Sequence, residues 1–241
     1  MSDLRIGTAG WSVPRQDAHA FLAAGSSLER YATRFNAVEI NSSFHRPHRP
    51  ATWQRWRDSV PAGFRFSVKL AKEITHERKL RDCAEPLCRF LDQVGILGDK
   101  LAVLLVQLPP KHVFDDHVAG AFFEELRQRS RADIVCEPRH LSWFTPAADA
   151  LLVSLRVARV AADPAICDDA KVPGGWRGLS YWRLHGSPVI YRSSYLDRIP
   201  AYADRLRREL EDREVWCIFD NTASSAGAGD ALALMDACAM R

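Results

Sequence analysis

Eight short apolar runs, separated by segments with a helical repeat, constrain the fold of this chain more than any other feature. They are "LRIGT" (4–8), "AVEIN" (37–41), "RFSVK" (65–69), "LAVLLVQL" (101–108), "DIVCE" (133–137), "VARVAAD" (157–163), "SYWRLH" (180–185) and "VWCIFDN" (215–221). Each has strand length and apolar or β-branched content. Between them lie helical patterns: "SLERYATRF", "ATWQRWRDSV" after Pro50, "EPLCRFLDQVGIL", "DDHVAGAFFEELRQR", "AADALLVSLR", "YADRLRRELEDRE" and "GAGDALALMDACAM". The segment after the sixth run, "PAICDDAKVPGGWRG", has no helical period, and its two prolines and three glycines read as a loop that could act as a lid. Strand–helix alternation implies a parallel sheet. Eight repeats in 241 residues predict an α/β fold, a single (β/α)8 TIM barrel over residues 1–241, irregular after strand 6. An open doubly wound sheet is the alternative, but "GTAGW" is not the Gly-x-Gly-x-x-Gly of dinucleotide binders.

Every run ends polar. The first leads to Thr8, Gly10 and Trp11, and the second carries Glu39 and Asn41. The third ends at Lys69, the fourth reaches Gln107, and the fifth gives Glu137, then Arg139 and His140. Asp163 ends the sixth, Arg183 and His185 the seventh, Asp220 and Asn221 the eighth. In a barrel these ends meet at one mouth, where such folds carry their sites. Alternation sends Val38 and Ile40 outward under the helices and Glu39 and Asn41 inward. Lys69 shares parity with Ser67, and Arg183 and His185 with Tyr181. Buried charges must pair with one another or with a ligand. The ring therefore reads as a ligand site, with a purely structural salt-bridge plug as its alternative.

Composition narrows the class. Hydrophobic residues make up 47% of the chain, enough for one sizeable core. No apolar run approaches the roughly 18 residues of a membrane helix. The N-terminus enters the first strand without a charged and then apolar leader, so a cytoplasmic protein that avoids membranes is expected. The six cysteines form no Cys-x-x-Cys pair and read as reduced, mostly buried thiols. A net charge of +3 permits an anionic partner without demanding one.

The same residues carry a family resemblance. "GTAGW", "VEINSSF", "FSVKLAKEITH", "VQLPP", "CEPRHLSW", "AADP", "YWRLHG" and "FDNTASSAG" stand in this order across nearly the whole chain. The chain resembles the YecE-like family, domain of unknown function 72. That resemblance implies a TIM barrel and brings no reaction with it. One position departs: the family often has Tyr after the Phe of the second motif, and here it is His45.

Three chemistries fit the ring. The first is an enzyme acting on a small anionic, phosphate-bearing substrate. Glu39, Lys69, Glu137 and His185 would be catalytic, two carboxylates and an imidazole suiting acid–base work. Trp11, Asn41, Phe44, His45, Arg46, Gln107, Arg139, His140, Asp163, Arg183, Asp220 and Asn221 would bind substrate. Among these the arginines would grip phosphate, while Trp11 and Phe44, with Trp143, would form a stacking wall. Lys69 as a Schiff-base nucleophile is disfavoured, since neighbouring acids would hold its pKa high. The second chemistry is nucleic-acid binding or processing. The mouth aromatics favour it; the lack of a continuous basic stripe opposes it, because Glu209, Glu211 and Asp212 offset "RLRREL". The third is metal-dependent hydrolysis through His76, Glu39, Glu137, Asp163 and His185. No ligand spacing supports that, so no cofactor is expected and a divalent metal is the weaker alternative. A non-catalytic small-molecule sensor would use the same pocket. His19, His112 and His117 read as surface residues, and Trp53 and Trp56 as core.

Overall fold

All eight expected runs form strands, and the sixth is broken at Val160 into two pieces. The computed structural model describes residues 3–239. In chain order the elements are β1 (Leu4–Thr8), α1 (Ser27–Ala32), β2 (Ala37–Ile40), α2 (Ser42–His45), α3 (Pro50–Asp58), β3 (Arg65–Lys69), α4 (Ala84–Val94) and β4 (Leu101–Gln107). There follow α5 (Asp116–Arg129), β5 (Asp133–Glu137), α6 (Pro146–Ser154), β6 (Val157–Arg159), β7 (Ala161–Asp163) and β8 (Gly174–Gly175). The chain closes with β9 (Leu179–Leu184), α7 (Ile199–Leu210), β10 (Glu214–Phe219) and α8 (Ala226–Ala239).

Two arcs of parallel strands make the wall. One runs β2-β3-β4-β5-β6, the other β1-β10-β9-β7. They join at Val160, whose N–H still bonds Cys136 while Ala161 already pairs with Trp182 of β9. They join again at a parallel bridge between Ala9 and Glu39. The architecture is a (β/α)8 TIM barrel.

Residue size sets the β1–β2 seam. A Cβ on Gly7 would lie 2.1 Å from the Ala37 carbonyl oxygen, so only glycine lets the strands approach this closely. The Tyr31 hydroxyl of α1 completes the seam: it accepts from Thr8 N–H at 2.7 Å and donates to the Ala37 carbonyl at 3.0 Å. Gly10, at φ +80°, then turns the chain away from the mouth.

Alternation divides the strand side chains into two cores. Ala37, Val103, Leu105, Val135, Ala158, Tyr181 and Trp216 fill the barrel interior in layers. Val38, Ile40, Val68, Leu104, Cys136, Trp182 and Cys217 face the helices. On α4, Leu87, Phe90 and Val94 repeat at three- and four-residue spacing and are buried against that outer layer. Helix starts follow the sequence. Ser26 and Glu29 form a capping box, and Asp115 and Thr145 cap α5 and α6. Helix α7 starts at Ile199, earlier than its sequence pattern, because Pro200 suits a first turn. It stops at Leu210, since Glu214 already belongs to β10. The last helical expectation extends to Met240, which lies outside the described residues.

The segment expected as a lid does not cover the mouth. Residues 164–178 descend outside the sixth strand, where Gly174 and Gly175 pair antiparallel with Arg159 and Ala158. There they take the place of a helix. Among the described residues no helix is long and apolar enough to cross a membrane.

Candidate functional site

The C-terminal mouth is organised around Arg183, the last inward residue of β9. Its Nε and Nη2 donate to Glu39 Oε2 and Oε1 at 3.0 and 2.7 Å. Nη1 donates to Glu137 Oε2, and Nη2 also to Asp220 Oδ2 at 3.0 Å. Arg183, Glu39 and Glu137 are 1%, 0% and 2% exposed, so this is a buried network and not a surface one. Below it, the Tyr181 hydroxyl lies 3.0 Å from Glu39 Oε2 and 2.8 Å from Ser67 Oγ. It donates to the carboxylate and accepts from the serine.

A second layer lies above. His185 bridges two acids, with Nδ1 at 3.0 Å from Asp220 Oδ2 and Nε2 at 3.0 Å from Glu137 Oε1. Arg139 donates from Nε and Nη2 to Glu137 Oε1 at 3.0 and 2.8 Å, and its Nη2 lies 3.3 Å from His185 Nε2. Gln107 stands beside Glu137 in the β4–β5 register. Its carboxamide makes no hydrogen bond among the described residues.

The titration of these groups follows from their partners. Burial would raise the Glu137 carboxyl, but Arg183, Arg139 and His185 overcome it and hold the group well below its ordinary range. Burial opposes the imidazolium of His185, yet Glu137 and Asp220 raise its pKa. Asp220 is lowered against burial by Arg183 and His185.

Lys69 differs from the rest. It ends β3 facing inward, half-buried, with Nζ 4.2 Å from the centroid of the Phe44 ring. Among the described residues its ammonium makes neither an ion pair nor a hydrogen bond, although its backbone carbonyl accepts from the Ser43 hydroxyl at 2.8 Å. Burial and then Arg183 lower its pKa to about 8, against the opposing pull of Glu39, Glu137 and Asp220. This corrects the expectation that nearby acids would keep it high: those acids are already bonded to Arg183, Arg139 and His185.

The mouth therefore gathers Glu39, Lys69, Gln107, Glu137, Arg139, Arg183, His185 and Asp220, with Phe44 beside Lys69. Other expected site residues lie elsewhere. Asp163 faces outward, where its carboxylate accepts from Arg198 Nη1 at 2.9 Å and from the Tyr202 hydroxyl. Asn221 also faces outward, donating to Asp230 Oδ2 at 2.6 Å and to the Ser193 carbonyl. His140 caps the short turn Leu141–Trp143 by accepting from Ser142 N–H. Trp143 is buried in the outer core and donates to the His112 carbonyl at 2.9 Å. Trp11 packs edge-on against Trp56 of α3. His45 and Arg46 are exposed on α2 and just beyond it. They line a separate cavity of about 350 Å³ between α2, α3 and α4, which has Phe44 as one wall and does not include Lys69. Asn41 stands at the head of α2, with Oδ1 buried and unpartnered. His112, expected at the surface, is buried against Trp143.

Of the carboxylates expected as metal ligands, Glu39 and Glu137 converge on the Arg183 guanidinium, while Asp163 faces away from them. Among the described residues no three His, Cys, Asp or Glu side chains come together as a metal set. The six cysteines form no disulfide, but only Cys83, Cys136 and Cys217 are buried, fewer than the expectation of mostly buried thiols. Sequence reasoning passed over Tyr181 and Ser67 as site residues, although both share the inward parity of Arg183 and Lys69. It also missed Tyr191, whose ring packs edge-on against His185 at 6.1 Å. Tyr191 sits at φ 66°, held by bonds to the His185 carbonyl and the Ala223 N–H. Nothing in its loop sequence marks it.

The model of the family described as "Protein of unknown function DUF72" matches residues 5–241. The chain belongs to the DUF72 family. It is 33% identical over 105 residues to UPF0759 protein YecE of Escherichia coli K12, a match covering 43% of this chain and 37% of that protein. It is 26% identical over 149 residues to UPF0759 protein YunF of Bacillus subtilis, covering 58% and 52%. The matched stretches thus span about a third to a half of these relatives. Among solved structures, a DUF72 protein of Enterococcus faecalis V583 superimposes with a TM-score of 0.81 at 20% identity, covering 99% of this chain and 96% of that one. A DUF72 protein of Thermotoga maritima gives 0.76 at 20% identity, covering 97% and 98%. D-Psicose 3-epimerase of Clostridium cellulolyticum gives 0.53 at 11% identity, covering 97% and 98%, a likeness of fold alone. The DUF72 membership agrees with the resemblance read from the eight motifs.

Proposed function

We propose that the DUF72 mouth binds a small anionic, phosphate-bearing molecule and acts on it as an enzyme. The observation that carries this reading is Lys69. The other charges of the inner ring pair with one another, while its ammonium has no partner among the described residues. A half-buried cation without a counter-charge is costly, and a bound anion would supply one. Arg139 keeps Nη1 unbonded among the described residues, and Gln107 offers an unbonded amide. Both are donors suited to phosphate oxygens.

Catalysis is favoured over passive binding because the mouth holds an imidazole and an amine shifted in opposite directions from their ordinary values. His185 is raised and Lys69 lowered, a pattern suited to proton transfer. The test is calorimetric titration of the full chain with inorganic phosphate, sugar phosphates, nucleotides and short DNA, alongside Lys69→Met. Binding of a small phosphate compound that disappears in Lys69→Met supports the reading. Binding of DNA alone, falling steeply with salt, transfers the mouth to nucleic acid. Binding without turnover makes it a sensor.

A further inference from the structure

We infer that Lys69 is a nucleophile that captures a carbonyl carbon as an imine, so that the molecule taken by this mouth carries an aldehyde or ketone beside its anionic group. This deepens the reading above and rests on it only for the anionic group.

The placement of the lysines is the first support. The chain has six lysines, and their surroundings differ in kind. Lys72 pairs with Glu77 at 3.1 Å and Lys171 with Asp168 at 2.5 Å. Lys100 donates to the Arg57 and Val60 carbonyls, both at 2.6 Å. Lys79 and Lys111 are exposed. Lys69 alone stands in the mouth, with the Phe44 ring on one side and the Arg183 network on the other.

The second support is the type of residue. A cation kept only to grip an oxyanion is served as well by a guanidinium, which holds two oxygens at once. Here a primary amine stands among arginines, and an amine can also become a nucleophile. Lysines are activated by desolvation or by a neighbouring cation, and Lys69 has both. The charged groups that act on it are Arg183 on β9, Glu39 on β2, Glu137 on β5 and Asp220 after β10; His76, beyond β3, feels its charge in turn. With its pKa at about 8, roughly a tenth of the amine is free at pH 7.

The reaction balances without an oxidant or reductant. The amine lone pair attacks the carbonyl carbon, the C–N bond forms, and the π pair moves to oxygen. That oxygen takes the proton shed by nitrogen. A second proton, from His185 or solvent, lets it leave as water while nitrogen closes the iminium. One amine, one carbonyl and one proton give one iminium and one water.

The experiment is reductive trapping on the full chain at pH 7 with sodium cyanoborohydride, using glyceraldehyde 3-phosphate and glyceraldehyde in parallel. Peptide mass mapping locates the adduct. Lys69 is expected to be labelled about tenfold or more faster than the exposed Lys79 and Lys111. In Lys69→Arg that adduct should vanish while slow labelling of the other lysines persists. The preference for Lys69 should shrink as the pH rises toward the ordinary lysine pKa of about 10.4. Labelling of Lys69 no faster than Lys79 and Lys111 at pH 7 overturns the inference. Equal rates with the two aldehydes would keep the imine and remove the phosphate. Phosphate binding that depends on Lys69, with no trapping by either aldehyde, would do the reverse.

Discussion

Arg183 and Glu39 meet edge to edge at the base of the mouth, with Nε–Oε2 and Nη2–Oε1 at 3.0 and 2.7 Å, both side chains essentially without solvent. This two-pronged contact fixes the guanidinium plane, leaving Nη1 for Glu137 and a second Nη2 bond for Asp220. Arg183 thereby ties together the acids of β2, of β5 and of the residue just after β10. Removing it would leave three acids facing one another in a low-dielectric space. Arg183→Met is expected to cost about 3–5 kcal/mol, the usual penalty for breaking a buried ion pair from one side. Urea unfolding measures it. A loss below 1 kcal/mol would show that the network contributes little to stability.

The same network sets a pH window. The folded pKa values of Glu137 and Asp220 are depressed, so their contribution is complete above the ordinary carboxyl pKa values of 4.5 and 3.8. It is lost as the pH falls through the folded values. The pKa of His185 is raised from 6.5, so its contribution is complete below 6.5 and is lost as the pH rises through the folded value. Stability from these groups should peak between about pH 4.5 and 6.5. The urea midpoint across pH checks this. In His185→Gln the decline on the alkaline side should flatten, and in Glu137→Gln the acid side.

Strand alternation made much of this site legible in sequence. Glu39, Lys69, Glu137 and Arg183 are each inward residues at the end of a barrel strand, and His185 and Asp220 lie one step beyond with the same parity. The failures have equally local causes. Asp163 follows Ala162, which continues the inward parity of Ala158 and Val160, so Asp163 must face α7. Asn221 adjoins the inward Asp220 and must point the other way. His45 and Arg46 lie where α2 replaces the two-residue strand repeat with a helical one. His140 bonds its own turn, a role that residue type alone does not reveal. The unpaired state of Lys69 could not be read from spacing. It depends on Arg183, more than a hundred positions away, occupying the acids that would otherwise hold it.

That unpaired state predicts a pH-dependent affinity. If Lys69 holds phosphate, binding should weaken as the pH rises through about 8 and the ammonium is lost. The phosphate itself is already a dianion over most of that range. A hydrogen bond from a charged group is worth about 1.5–3 kcal/mol, so the loss should be roughly ten- to a hundredfold. Lys69→Arg should keep its affinity to pH 9, and Lys69→Met should bind weakly at every pH. Calorimetry from pH 7 to 9 makes the comparison. An affinity independent of pH in the unaltered protein would remove Lys69 from the anion's contacts.

Asp163 and Asp220 allow the mouth to be separated from its scaffold. Both are acids at the end of a barrel strand, and both accept from an arginine. Asp220 faces the mouth and supports His185. Asp163 faces α7, tying Arg198 and Tyr202 to the strand, while its carbonyl accepts from the Tyr195 hydroxyl at 2.8 Å. Asp163→Ala should therefore lower stability by about 1–3 kcal/mol, the cost of orphaned donors, and leave phosphate binding unchanged. Asp220→Asn should bring the His185 pKa down, because the charge that helps raise it is gone. NMR titration of the His185 ring and calorimetry on both variants separate the two roles. Impaired phosphate binding in Asp163→Ala at a temperature where the variant is fully folded would bring Asp163 back into the site.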